Sequence, residues 1–397
     1  MIKKNINRKR LIDTFFSLVR IKSPSGNEKE IVEYVRKILS GLGLKVAVDD
    51  SGKKYGSNSG NLIAFLKGDD PGIIPIFFGA HLDTVVLNGE VIPYIDDGII
   101  RNKNSRCILG GDDKVAVAAI IEVISYIVEN NIKTGDIYVI FTISEEIGVV
   151  GAKHIDMSSI AADYGFVFDS HGDIGTIINQ APYQNSIDAE FTGKAAHAGI
   201  EPEKGINSIK AAAIAISSIR SGRLDNETTA NIGKINGGVA RNIVPENTKI
   251  ILEARSLKES RLEKVTEEMI FSLKKASGDT GCKLKYKLIR EYDGFNIGPE
   301  EIPLKIALNA IKELGIDPVI ASTGGGSDIN IFNSKGKRAV NLSSGMEDVH
   351  TNSEYVKVDQ LEKLAQLILE ISISKKTQEP VRELDSSQDQ APGDTPK

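Results

Sequence analysis

Tryptophan is absent from this chain, cysteine occurs twice, at Cys107 and Cys282, and histidine five times in 397 residues. Two cysteines cannot build a disulfide framework, so an apolar core has to hold the fold. At this length such a core is readily buried. A surplus of positive charge is also lacking: the formal charge of -5 runs against a binder of nucleic acid or of anionic membranes. The apolar stretch LIDTFFSLVRI near the N-terminus is broken by Asp13 and Arg20. That excludes it as a signal peptide or a membrane span, and the cytoplasm is the expected compartment.

What is present fits a folded chain. Hydrophobic residues make up 41% and charged ones 26%, which excludes disorder along the whole length. The exception is 378–397, rich in Pro, Asp, Glu, Gln and Ser, where a disordered tail is expected. The length points to two to three domains. Helix signals at 8–20 and 28–42 precede apolar strand candidates at 61–68, 73–83 and 136–146, with a helix at about 113–130 and a short strand at 164–170. Strands alternating with helices imply a mostly parallel sheet with flanking helices. From about 187 the order changes to strand, helix, strand, strand, helix, strand, ending near 294, the β-α-β-β-α-β order of a ferredoxin-like unit. The α/β pattern resumes after about 298. The fold class read from this is α/β, a mostly parallel sheet interrupted by an inserted α+β ferredoxin-like domain.

Polar residues collect where the apolar strands end. His81 closes FFGAHLDTV, and Asp83, two residues on, can point the same way as His81. GGDDKVAVAAI places Asp112 and Asp113 at a helix start, where Asp also serves as a cap. FTISEEIG puts Glu145 and Glu146 at the end of a third apolar run, a costly place for two like charges unless a cation compensates them. Asp169 follows the strand of VFDSHGDIG, and His350 lies in GMEDVHTNSEYV. Each motif by itself also reads as a polar loop, a helix cap or exposed glutamates. Together they put imidazoles and carboxylates on one edge of a parallel sheet, where ligands bind. Nitrogen and oxygen donors without thiolate suit zinc, with cobalt or manganese as alternatives. His154 and His171 read as solvated or supporting residues, and STGGGSDIN at 322–330 as an anion cradle or a plain turn.

The order HLDT, GDDK, EE, Asp169 and a late histidine, around an inserted α+β unit, resembles the co-catalytic zinc exopeptidases. That clan includes carboxypeptidase G, aminoacylase and succinyl-diaminopimelate desuccinylase. GDDKVAVA and ISEEIG are most similar to its tripeptidase-T-like branch. The resemblance implies a catalytic metallopeptidase domain at 1–184 and 298–377 and a lid or dimerisation domain at 185–297. It implies two zinc ions per chain: Asp112 bridges, His81 and Asp169 complete one site, and Glu146 and His350 complete the other. Glu145 would be the general base and Asp83 would orient His81. His197, Asn242 and Arg255 match substrate-binding positions. A homodimer through the lid is a further implication. The expected activity is cleavage of amide bonds in short peptides, as by a tripeptide aminopeptidase. N-acyl amino acid hydrolysis, dipeptidase or carboxypeptidase activity, and a non-catalytic peptide- or metal-binding relative stand as alternatives.

Overall fold

A computed structural model of the protein describes residues 6–375, and the tail expected at 378–397 lies outside them. Its largest sheet has nine strands. Ile76–His81 is buried at every position and pairs in parallel with both Ile137–Thr142 and Tyr164–Ser170. Arg338–Ser343 extends the parallel set beyond Tyr164–Ser170. Strands covered on both faces read as unbroken apolar runs, which is why these were legible. Antiparallel strands flank this set, Leu62–Leu66 and Lys45–Val48 on one side, Thr176–Ala181 and Phe295–Asn296 on the other, and Val319–Ser322 pairs in parallel with Thr176–Ala181. Thr176–Ala181, TIINQA, is short and half polar, and it carried no strand signal.

The helix Lys114–Asn130 is buried almost all round because the sheet lies on one side and Arg8–Arg20 and Val358–Ser372 on the other. Its one enclosed acid, Glu122, is compensated by Arg10 at 2.5 Å and by the Asn7 amide. This follows the rule that a buried charge needs a partner.

The insert has its own antiparallel sheet in the order Gly222–Asp225, Thr228–Gly237, Asn247–Ser256, Tyr183–Thr192, Lys283–Tyr292. This is the ferredoxin-like arrangement with one short strand added at an edge. Asn247–Ser256 alternates outward and buried residues, the period-two pattern of a sheet covered on one face. The cover is the pair of helices Ser208–Ser218 and Glu259–Thr280, which enclose Phe191, Ala212, Leu252, Met269 and Leu273 in a core separate from the main one.

A third, four-stranded sheet joins the hairpin Pro93–Asp96 and Ile99–Asn102 to Tyr355–Lys357 and Met346–Glu347. Its turn residues Asp97 and Gly98 both have positive φ, 47° and 74°, the geometry that makes Asp-Gly a hairpin turn. The last two of those strands bracket the loop that carries His350. No helix among the described residues is long and apolar enough to cross a membrane.

Candidate metal centre

His81 is the last residue of its strand and is buried. Its Nε2 lies 3.1 Å from Asp112 Oδ1 and 3.9 Å from Asp169 Oδ1. The other Asp112 oxygen, Oδ2, lies 3.1 Å from His350 Nε2, which is 2.9 Å from Glu146 Oε1. Asp112 therefore presents one oxygen to each imidazole. Two donor groups result, His81 with Asp112 and Asp169, and Asp112 with Glu146 and His350. Within each group the donor atoms lie within 4.8 Å of one another.

The scaffolding explains why these side chains meet. Asp112 and Asp113, joined by a cis peptide bond, end the loop leading into the helix Lys114–Asn130. Asp169 ends the buried part of its strand, where its amide donates to Asn341 Oδ1 and its carbonyl accepts from Asn341 Nδ2, both at 2.9 Å. Asp83 works differently from the expectation. His81 Nδ1 lies 2.9 Å from the backbone carbonyl of Asp83, while the Asp83 carboxylate is 3.6 Å away. That carboxylate accepts the amides of Glu145 at 2.9 Å and Glu146 at 3.2 Å, and the Ser25 hydroxyl at 2.6 Å. Asp83 thus fixes the histidine through its main chain and the glutamate pair through its side chain.

Burial governs the electrostatics, with crowding of like charge adding to it. Burial, then Asp169, raises the Glu145 carboxyl well above its usual range. Burial, then Asp112, does the same to Asp169. Asp113 is raised by burial and by Asp169. The His350 imidazole is raised as well: hydrogen bonds to Asp112 and Glu146 push it up to about 10. No lysine or arginine among the described residues pairs with Asp83, Asp112, Asp113, Glu145, Glu146 or Asp169. Two imidazoles, His81 buried and His350 exposed, beside carboxylates with surplus negative charge and no thiolate, fit divalent cations.

Most of the chain has counterparts among solved structures. The structure of a tripeptidase from Staphylococcus aureus subsp. aureus Mu50 matches with a TM-score of 0.87 at 36% identity, over 92% of this chain and 98% of that one. The aminopeptidase PepT from Bacillus cereus ATCC 10987 matches at 0.84 and 38%, with the same coverage of each chain. The chain belongs to the peptidase T branch of the M20 peptidases. Peptidase T from Clostridium perfringens strain ATCC 13124 is 30% identical over 70% of this chain and 69% of its own length. Residues 185–280 match the model of a peptidase dimerisation domain, and residues 94–194 that of the M42 glutamyl aminopeptidases.

In this peptidase T relative the three substrate-binding candidates lie apart from the donor groups. His197 is exposed at the end of the insert, in a bridge with Ile243. The carbonyl of the adjacent Asn242 accepts from the Ala198 amide. Neither residue is hydrogen-bonded to the donor groups among the described residues. Arg255 reaches across to the α/β part, where it donates to the Gly324 carbonyl at 3.4 Å, and it also donates to Glu253 of its own strand at 3.1 Å. It lines a cavity of about 180 Å³ with Arg223, Thr229 and Ser322, and its Nε is buried without a partner. In the glycine run only Gly326 is closely packed, since a Cβ there would stand 2.2 Å from the Tyr292 ring. His154 stacks on Tyr55, away from the centre.

Sequence reasoning passed over three enclosed groups. Glu354 accepts the amides of Gly110, Gly111 and Asp112. Lys114 donates to the Ile21 carbonyl at 2.8 Å, and burial lowers it to about 7. Burial also pushes Asp328, hydrogen-bonded to Thr142, up to about 7. Each lies in a motif singled out above without being assigned a role: Lys114 in GDDK, Asp328 in STGGGSDIN, and Glu354 four residues beyond His350.

Proposed function

We propose that the protein is a dinuclear metallopeptidase that releases amino acids from short peptides, with tripeptides as its main substrates. The observation that carries this reading is Asp112, whose two oxygens face His81 and His350 at 3.1 Å each. We assign Asp112 as the shared ligand, His81 and Asp169 to one ion, and Glu146 and His350 to the other, with zinc as the native metal and cobalt or manganese able to replace it. Divalent ions held there would supply Lewis acidity toward the amide carbonyl and toward water. The activity assignment is supported by the named activities of the relatives, tripeptidase and aminopeptidase.

Glu145 belongs to neither donor group, yet its amide is fixed 2.9 Å from Asp83 Oδ1. We assign it the proton transfer from the attacking water to the leaving amine. Its raised affinity for a proton suits that task. Arg255 offers a planar fork to a peptide carboxylate. His197 reaches a carbonyl oxygen only if the insert closes, or if the insert of a second copy brings it. We therefore assign 1–184 and 298–377 to catalysis and 185–297 to a lid that also makes a homodimer, a reading the dimerisation-domain match supports. The free, buried Cys107 and Cys282 suit the reducing cytoplasm.

Metal analysis of the purified protein, combined with a panel of tripeptides, dipeptides and N-acyl amino acids, tests this reading. Close to two ions per chain and a preference for tripeptides are expected. An enzyme that ignores chelators, or that turns over only N-acyl amino acids, refutes it.

A further inference from the structure

Glu354 is buried and has no lysine or arginine partner among the described residues, although a charge in that position needs compensation. Its compensation comes from main-chain amides. Oε2 accepts from Gly110 N at 2.7 Å, and Oε1 accepts from Gly111 N at 2.7 Å and Asp112 N at 3.0 Å. Hydrogen bonds to an ionised acceptor are the strong ones. Glycine favours such an approach: a Cβ on Gly111 would stand a tight 3.1 Å from Oε1 and 3.3 Å from Val356 Cγ2. The two ends of this contact are 242 residues apart in sequence, and each end carries a donor. Asp112 is at one end. His350 is at the other, in the loop closed by Glu354 just before the strand Tyr355–Lys357.

We infer that Glu354 is a positioning residue for the shared carboxylate: by gripping the Gly110–Asp112 main chain it sets the Asp112 oxygens between His81 and His350. The inference rests on the metallopeptidase reading above. It gives the pair of glycines before the Asp pair a function, since their amides are the handle by which the loop is held. It also makes the distance between two donors on remote segments depend on one side chain that touches neither substrate nor metal.

Three proteins test it: wild type, Glu354→Gln and Glu354→Ala. Gln keeps the size of the side chain but presents an NH₂ to an amide that needs an acceptor. Ala leaves all three amides without their partner. Metal-free samples are titrated calorimetrically with Zn²⁺, thermal melting of the same samples reports folding, and kcat and KM are measured on a tripeptide. Residues that support a metal ligand from behind are worth about 10–100-fold in affinity. The expected result is a loss of that size in Gln and a larger one in Ala, felt at both ions because Asp112 serves both. A fall in kcat with little change in KM should accompany it. Should the Ala variant fail to fold, the Gln variant decides by the same criterion. Wild-type Zn²⁺ affinity in a folded Gln or Ala variant overturns the inference. So does an affinity loss that merely follows a lowered melting temperature. A wild-type protein that binds no ions defeats the metallopeptidase reading itself, whereas two ions bound equally by all three proteins defeats only the role of Glu354.

Discussion

Replacing Glu145 with glutamine separates its role from that of its neighbour. The substitution keeps size and shape, and the backbone at that point is held independently of the side chain, through the Glu145 amide on Asp83 Oδ1 and the positive φ of Ser144, 55°. Geometry should therefore survive. Glu145 supplies no atom to either donor group, so the ion content should stay at the wild-type value. What is lost is the proton acceptor, and general base catalysis is worth roughly 10²–10⁴-fold in rate. That range corresponds to about 3–5 kcal/mol on the barrier. The measurement is kcat on a tripeptide, with metal content determined on the same sample. The control is Glu146→Gln, which removes the oxygen 2.9 Å from His350 Nε2 and should weaken one ion. If Glu145→Gln lost an ion while Glu146→Gln kept both, the two roles would be reversed. A kcat within about threefold of wild type in Glu145→Gln, far short of the general-base range, would refute the base altogether.

His197→Ala should lower turnover strongly while metal content and melting temperature stay unchanged, and near wild-type activity would return His197 to a solvated loop. The Asp328 carboxyl, raised by burial from 3.8 to about 7, binds its proton more tightly folded than unfolded. Its contribution to the stability of the metal-free protein is therefore full below about pH 4 and lost as pH rises toward 7. Asp328→Asn should flatten that decline and raise the melting temperature at pH 8, and a variant melting curve that falls in parallel with wild type would contradict it. Phe332, fully buried and edge-on to Phe77 at 5.6 Å, should cost ~3–5 kcal/mol on substitution by alanine, read by urea unfolding, with the metal content of the folded protein retained.

The α/β architecture and its ferredoxin-like insert were legible because each rests on a local signal. Central strands such as IFFGAH are apolar throughout since both faces are covered, and the insert alternates since one face is open. The donors were legible for a related reason: a charged or imidazole side chain directly after a buried strand is costly, so its presence asks for a function. Among the elements that escaped notice, Thr176–Ala181 is short and half polar and pairs with strands far away in the chain, while the hairpin at 93–102 is short, pairs with itself and joins Tyr355–Lys357 only in the folded chain.

Core strands, and the α+β unit that interrupts the main sheet, can be read from the chain alone, as can the imidazoles and carboxylates that follow the apolar runs. Those properties depend on periodicity of two or 3.6 residues and on the cost of burying polar groups, both of which act locally. Only the tertiary structure decided how the donors divide, with Asp112 facing both imidazoles, Asp83 bonded to His81 through its carbonyl and to the glutamate pair through its carboxylate, and Glu354 gripping a loop 242 residues away. Each of these is a matter of which atom of a residue meets which partner across distant segments. That choice is made when the sheet edge and the loop after Met346 are brought together, and residue identity carries no record of it.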